Sequence, residues 1–499
     1  MNKKGFTLVE LLAVIAILAI LVIIALPNVL KMYNDSKKNA FMTEAQNLAK
    51  EVSSKYISES MKGNKVSVIS NKQNPLDMTG RELEYNFELD SQGKIKNMIV
   101  SNGTYCISTN KDYTKITRND ISDKCSYEKL HNIVGTLKNK FYEESGRENR
   151  NLVSSIVFYS DGRTINATES YDVSEKKDGS IKMYVTQNSE NTSLVDLTIV
   201  ANGKIAFPED SSSLLSFGRL HSGADYFGTL KSIKFNNSVD TGKVKNMSKI
   251  LYGNNQLESL YLSDFNTSNV TNMSEMFMGI GVEELDVSGF DTSNVTDMSQ
   301  MFYFPFDKSK LVSIKGLNKF NTSNVTNMKG MFMGIGVEEL DLSSFDTSKV
   351  TDMSEMFSFP YNKSKLVSIK GLNKFNTSNV TNMSNMFSYS KMATLDLSSF
   401  DTSNVTNMSS MFSSNQAAEI KGLNKFNTSK VTDMSWMFAY SKATMLDLSS
   451  FNTSKVTDME GMLKGSAATT GYAKDADTAA KFNDSTKTGV PDTLKFTVK

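Results

Sequence analysis

Three patterns of apolar and polar positions succeed one another along the chain. The first is an apolar run from Phe6 to Leu26, 21 residues interrupted by one charge, Glu10. That length suffices to span a bilayer as a helix, and Lys3 and Lys4 ahead of it place the extreme N-terminus in the cytoplasm. An ordinary secretory signal has a shorter apolar core and a small-x-small cleavage site, which Ala25-Leu26-Pro27 does not supply. Past Pro27 the pattern becomes amphipathic: Phe41, Ala45, Leu48, Val52 and Tyr56 recur at steps of three and four, with Lys, Glu and Ser between them. A helix over 6–60 is predicted, roughly 80 Å long at 1.5 Å per residue, with Pro27 bending it at the membrane exit.

The second pattern, over 61–128, is one of short alternating runs. LEYNFELD, KIKNMIVS and GTYCIST read as strands separated by Asn, Gly and Asp turns. Cys106 and Cys125 enclose 18 residues near its end. Outside a membrane such a pair usually oxidises, stabilising by roughly 3 kcal/mol for a loop of that size; two free buried thiols are the alternative.

The third pattern is an internal repeat over 263–465. F-[DN]-T-S-[NK]-V-T-[DN]-M begins at Phe265, Phe290, Phe320, Phe345, Phe375, Phe400, Phe426 and Phe451, at steps of 25, 30, 25, 30, 25, 26 and 25, and a degenerate unit at Phe235 precedes the first by 30. Val270, Met273, Met276 and Phe277 are spaced to line one face of a short helix, and Leu285-Asp286-Val287 alternates as a strand does. One helix and one strand per unit cannot bury their own apolar faces. Stacked, such units form a continuous core with a parallel sheet along one side. The fold expected is therefore α+β: a long N-terminal helix, a small β head, and a solenoid carrying a parallel sheet. The unequal steps come from a four-residue loop insertion and a strand one residue longer (LDVSGF against IKGLNKF), which together turn 25 into 30. Aligning the strands puts Leu285 with Ile314, and Asp286 with Lys315.

Composition narrows the functions. Fifty-five basic against 54 acidic residues leave +1, so no field points to nucleic acid. Two histidines, His131 and His221, and two cysteines leave no metal-ligand spacing and no nucleophile with a base. No enzyme, catalytic residue, metal or cofactor is expected. Gly279-Ile280-Gly281 lacks the third glycine of a dinucleotide loop, and the Asn-Thr-Ser triplets read as turns closed by side-chain hydrogen bonds rather than as glycosylation sites.

The opening KKG followed by FTLVELL resembles the class III leader of type IV prepilins and pseudopilins, over about the first 30 residues. The resemblance implies cutting after Gly5 by a prepilin peptidase, leaving Phe6 as an N-methylated first residue. It further implies that Glu10 neutralises the new terminal amine of a neighbouring pilin subunit. An unpartnered carboxylate in a membrane helix costs about 2.5–3.5 kcal/mol, which gives that role its physical sense. Pro27 matches the kink of pilin helices, and the Cys106–Cys125 loop is similar to their C-terminal disulfide loop. An uncleaved signal anchor, with Glu10 incidental, is the plainer alternative.

LDLSSFDTSNVTNMSSMF, from Leu395 to Phe412, resembles the BspA-like leucine-rich surface-protein repeat. YDVSEKKDGSIKMYV through SSSLLSFG, within 129–262, is similar to the linker and cap that precede such arrays, and GYAKDADTAAKFN, within 466–499, to their closing cap. That resemblance implies a leucine-rich-repeat-like fold on a bacterial surface, often adhesive. Residues 1–5 are the leader in this reading. The expected product is a minor type IV pilin-like subunit, membrane-anchored before assembly and on a surface pilus after it, with a head binding a surface or protein ligand. A pseudopilin of a secretion or DNA-uptake filament, with the repeats as a spacer, is the alternative. Candidate ligand contacts are Phe304, Phe306, Phe359 and Tyr361 in the inserted loops, where proline-stiffened aromatics suit contact anchors; folding back over the array as packing is the competing outcome.

Overall fold

The structure is a computed structural model describing residues 8–70, 75–77, 83–102, 104–122, 133–145, 150–167, 169–220, 226–305, 309–359 and 364–499, with the side chains of the first helix described from Met32 on. It divides into two compact units, Met1–Ile133 and Val134–Lys499.

In the first unit, α1 (Leu8–Met61) precedes a meander of β1 (Val68–Ser70), β2 (Glu84–Leu89), β3 (Ile95–Ser101), β4 (Cys106–Thr109) and β5 (Ile121–Ser122). Sequential antiparallel pairing gives the order β1-β2-β3-β4-β5. The amphipathic stripe of α1 does what its period predicts: Phe41, Ala45, Leu48 and Val52 are buried with Ile69, Phe87, Met98, Val100 and Ile107 of the sheet. Tyr56 ends the stripe half-exposed, its hydroxyl donating to the Ser91 carbonyl at 3.1 Å. Its ring lies over Gly93, which has φ +80° and no room for a Cβ.

The second unit opens with β6 (Ile133–Thr136), β7 (Val153–Tyr159), β8 (Glu169–Asp172), β9 (Ile181–Gln187), β10 (Val195–Ala201), β11 (Lys204–Ala206), β12 (Arg219–Leu220), β13 (Tyr226–Phe227), β14 (Ser232–Lys234) and β15 (Val239–Asp240). One sheet has the order β14-β7-β10-β9-β8 and another β15-β11-β6, while β12 and β13 pair by themselves. Ile156, Phe158, Met183, Leu197 and Ile199 are buried in the same core as the repeats that follow.

In the repeats, strands are short and pair in twos: β16 (Glu284–Asp286) with β17 (Ser313–Lys315), β18 (Glu339–Asp341) with β19 (Ser368–Lys370), and β20 (Thr394–Asp396) with β21 (Glu419–Lys421). The closing sheet joins β22 (Met445–Leu448), β23 (Thr470–Ala473) and β24 (Phe496–Val498). Leu285 faces Ile314 and Asp286 faces Lys315, in parallel.

These observations overturn the expected fold class. The protein is not an α+β fold of a long helix followed by a leucine-rich-repeat-like solenoid with a parallel sheet. The described residues form mostly small separate sheets, with few helices. Two physical reasons stand out. The longer IKGLNKF strands spend their additional residue on a left-handed glycine (Gly316 φ 87°, Gly371 90°, Gly422 90°) and a 3-10 turn such as Leu317–Lys319, which takes the chain out of the strand. The segments expected as helices are successions of turns. Glu275, Gln300, Glu355, Asn385, Ser410 and Trp436 stand at φ between 53° and 62°, where no right-handed helix continues. Alternate N–H groups there serve the next unit instead of their own turn: Met273 donates to Asp297 (3.0 Å), Glu275 to Ser299 (2.9 Å) and Phe277 to Met301 (3.0 Å).

Side-chain columns cross the gaps between the sheets. Phe277, Phe302, Phe332, Phe357, Phe387, Phe412 and Phe438 stack with centroids 5.4–6.1 Å apart and planes within 17°. The array ends in α2 (Ala476–Phe482), N-capped by Asp475, which accepts from the Thr478 N–H at 2.8 Å, and in α3 (Ser485–Thr488). Phe482 and Phe496 close the core there, with ring centroids 5.1 Å apart.

Candidate functional site

Each repeat folds around two side-chain turns. Asn266 Oδ1 accepts from the Ser268 N–H (3.2 Å) and Asn272 Oδ1 from the Ser274 N–H (2.8 Å), and the later units repeat both. The Asn-Thr-Ser triplets are thus used by the backbone. Within the first turn lies a threonine that sequence reasoning missed. Thr267, Thr292, Thr322, Thr347, Thr377, Thr402 and Thr428 are buried, and each hydroxyl donates to a carbonyl of the following unit at 2.8–3.1 Å. Thr241 donates to Asn266 in the same way (3.0 Å), so the degenerate unit aligns on Thr241, 26 residues before Thr267, and not on Phe235. The signal was present as an unvarying threonine in F-[DN]-T-S.

This scaffold presents the residues before and after the buried Leu285, Leu395 and Ile420 to solvent. Asp286, Lys315, Asp341, Lys370, Asp396, Lys421 and Asp447 occupy equivalent strand positions, Asp341 and Asp447 only partly exposed, and they do not form a uniform ladder. Lys370 reaches Asp341 at 2.8 Å, whereas Lys315 turns to Glu284 (3.3 Å) and Lys421 to Glu419 of its own strand (3.7 Å). Asp447 is met by Lys499 at 2.6 Å. The Lys370 ammonium, with Ser343, pulls the Asp341 carboxyl down to about 2. Between β17 and β18, where pairing is interrupted, a groove of about 900 Å³ is lined by Val312, Ile314, Leu317, Val337 and Glu339. Val312 and Val367 are more than half exposed beside these strands, and Tyr261 is 74% exposed at the head of the row.

Few of the expected site residues lie among those described. Phe304 and Phe359 are buried, 1% and 2% exposed, so their rings belong to the core and not to a contact surface. Phe306 and Tyr361 lie outside the described residues, as do Gly5, Phe6, Cys125, His131 and His221, and the side chains of Glu10 and Pro27. Cys106 is buried at the start of β4. Among the described residues, no helix is long and apolar enough to cross a membrane, and no group of three or more His, Cys, Asp or Glu is placed to hold a metal ion.

Two family models match the chain. A prokaryotic N-terminal methylation motif matches residues 1–26, and a family described as "Mycoplasma protein of unknown function, DUF285" matches residues 223–311, 303–365 and 359–475. The first motif implies processing by a prepilin peptidase, assembly with other pilins, and a path from membrane anchor to pilus surface. No curated protein and no solved structure matches the chain.

Proposed function

This chain belongs to the DUF285 family, and from that premise we propose that it is a minor type IV pilin-like subunit whose repeat head binds a surface or a protein ligand. The methylation motif at residues 1–26 carries the pilin part of the reading. The head is carried by chemistry: outward rows of short polar and charged side chains broken by exposed Tyr261, Val312 and Val367 offer the mixed apolar and polar surface that protein contacts use. A head of this size on every subunit would crowd a fibre, which favours low copy number and a place at or near the tip. It acts by binding, without catalysis and without a cofactor. The Cys106–Cys125 disulfide belongs to the same proposal, as a clamp on the small β head in an oxidising exterior.

Labelling sheared fibres with antibodies against the repeats tests the reading. Sparse or tip-only labelling, with loss of attachment when residues 263–465 are deleted, is the expected result. Repeats confined to the membrane fraction, in cells whose fibres carry none, would instead favour a pseudopilin in which they are a spacer.

A further inference from the structure

Lys204, Asn237 and Asp264 meet where the non-repeating segment passes into the repeats. β11 begins at Lys204 and β15 two residues after Asn237, and the two strands run parallel with Ile205 opposite Val239. Asn236 and Asn237 are both left-handed (φ 52° and 54°), a conformation asparagine tolerates. In that turn Asn237 Oδ1 accepts a hydrogen bond from Lys204 Nζ at 2.9 Å, and the Asn237 N–H donates to Asp264 Oδ2 at 2.7 Å. All three side chains are partly buried. Phe235 and Phe265, neighbours of Asn237 and Asp264 in sequence, pack edge to face with centroids 5.0 Å apart. Burial pushes the Asp264 carboxyl above the usual carboxylate range, against the backbone N–H of Asn237 and the charge of Lys204. In every later unit the residue ahead of the repeat phenylalanine is Gly, Lys or Ser, so the acid is specific to this junction.

We propose that Lys204 and Asn237 become joined by a side-chain amide bond, with Asp264 carrying the protons. The hydrogen bond to Oδ1 holds the lysine nitrogen beside Cγ of the same carboxamide, and a lysine amine is a competent nucleophile toward such a carbon. As a carboxylate, Asp264 takes a proton from the lysine ammonium. The free amine adds to Cγ, the new N–Cγ bond forms, and the Cγ–Nδ2 bond breaks as Asp264 returns the proton to the departing nitrogen, which leaves as ammonia and takes up the second proton from the new amide nitrogen. One ammonium and one carboxamide become one secondary amide and one ammonium ion; nothing is oxidised or reduced and no cofactor is needed. A carboxyl whose acid form is favoured by burial serves in both directions. The bond would tie β11 to the turn that leads into the repeats. Its value to a pulled fibre rests on the pilin reading, but its formation does not.

Peptide mass mapping of the full-length chain, purified from membranes in detergent, tests this. The expected result is one branched peptide joining the segments around Lys204 and Asn237, lighter than their sum by one ammonia. Asn237→Asp should give the same branched peptide with water lost in place of ammonia, which makes the result independent of fibre assembly. Lys204→Arg and Asp264→Ala should give linear peptides of full mass. Linear peptides in the unaltered chain overturn the proposal. So does ammonia loss that persists in Lys204→Arg, since that marks Asn237 closing on its own backbone. A branched peptide retained in Asp264→Ala overturns the role given to Asp264.

Discussion

The hydroxyl of Thr377 makes two hydrogen bonds to one residue of the next unit, donating to the Asp401 carbonyl at 2.9 Å and accepting from the Asp401 N–H at 2.8 Å. Thr377 is fully buried, so removing its hydroxyl leaves the Asp401 carbonyl and N–H facing a methyl group where their partner stood. Thr377→Val keeps the shape and deletes the oxygen. It should cost about 1–3 kcal/mol, the penalty of a buried donor left without a partner, read as a lower urea midpoint of the full chain. Thr377→Ser, which keeps the hydroxyl, should lose much less. Equal midpoints for Thr377→Val and the unaltered chain would remove the threonine column as an inter-unit staple.

Much of this was readable from residues alone, and the failures have definite causes. The register of Leu285 on Ile314 follows from aligning two strand types by their apolar positions. The side-chain turns at Asn266 and Asn272 follow from Asx and Ser lying two apart. The helix expected at Val270, Met273, Met276 and Phe277 failed because apolar spacing reports which side chains face inward and is silent on φ. A left-handed Glu275 brings the same four residues inward with turns alone. The threonine column was missed because a Thr beside a Ser reads as a local cap, and only stacking shows that its partner lies a whole unit away. The ends of the inserted loops and the prepilin residues fall outside what the structure describes.

Two glycines in the turns that follow adjacent strands should answer oppositely to alanine. Gly316 has φ 87°, and a Cβ there would lie 2.3 Å from Ser288 Cα. Gly289 has nothing within 4 Å of its Cβ position. Gly316→Ala should cost about 1–3 kcal/mol of strain. Gly289→Ala should be neutral or stabilise by about 0.4–1 kcal/mol through the unfolded chain. Thermal melts of the two variants side by side check both. A tolerated Gly316→Ala would mean that the left-handed strand end is not required.

Asp341 should titrate far below an ordinary aspartate. The ammonium of Lys370, then the hydroxyl and N–H of Ser343, lower its carboxyl from 3.8 to about 2. A depressed folded value means that the contribution is fully present above the unfolded value and is lost as the pH falls from 3.8 toward 2. The pair is exposed, so the stability change is small and salt weakens it. A site-resolved NMR titration should place the midpoint near the low value and raise it in Lys370→Ala, though not fully, because the Ser343 bonds remain. A midpoint that ignores Lys370→Ala would show that β18 and β19 are not held by this pair.

Phe304 and Phe359 are held by packing and by backbone. The Phe304 N–H donates to the Met333 carbonyl at 2.9 Å, and the Phe359 N–H to Ser388 at 3.0 Å. Either phenylalanine replaced by alanine should cost about 3–5 kcal/mol, as for large core deletions. Loss of attachment in those variants would then track the melting temperature. Unchanged melting with lost attachment would return both rings to a contact surface.

The leader supplies the last prediction, and it separates two steps that a single defect would confuse. The methylation motif matches residues 1–26, and in the proposed pilin reading the free amine of the mature subunit arises between Gly5 and Phe6. Gly5→Ala places a methyl group at the residue ahead of the cut bond and should leave the chain uncleaved in the membrane. Glu10→Ala leaves that bond untouched, so cleavage should proceed. Its effect should come later: an isolated carboxylate in the membrane costs about 2.5–3.5 kcal/mol, and pairing with the amine of a neighbouring Phe6 would return that energy only on assembly. Replacing Glu10 removes the pairing, and with it much of the preference for joining the fibre at the correct axial position. Immunoblots of membrane and sheared-fibre fractions should therefore show full-length chain without fibres for Gly5→Ala. For Glu10→Ala they should show mature chain depleted from fibres. Mature chain and normal fibres in both variants would contradict the pilin reading, because neither the cut nor the charge would then be needed.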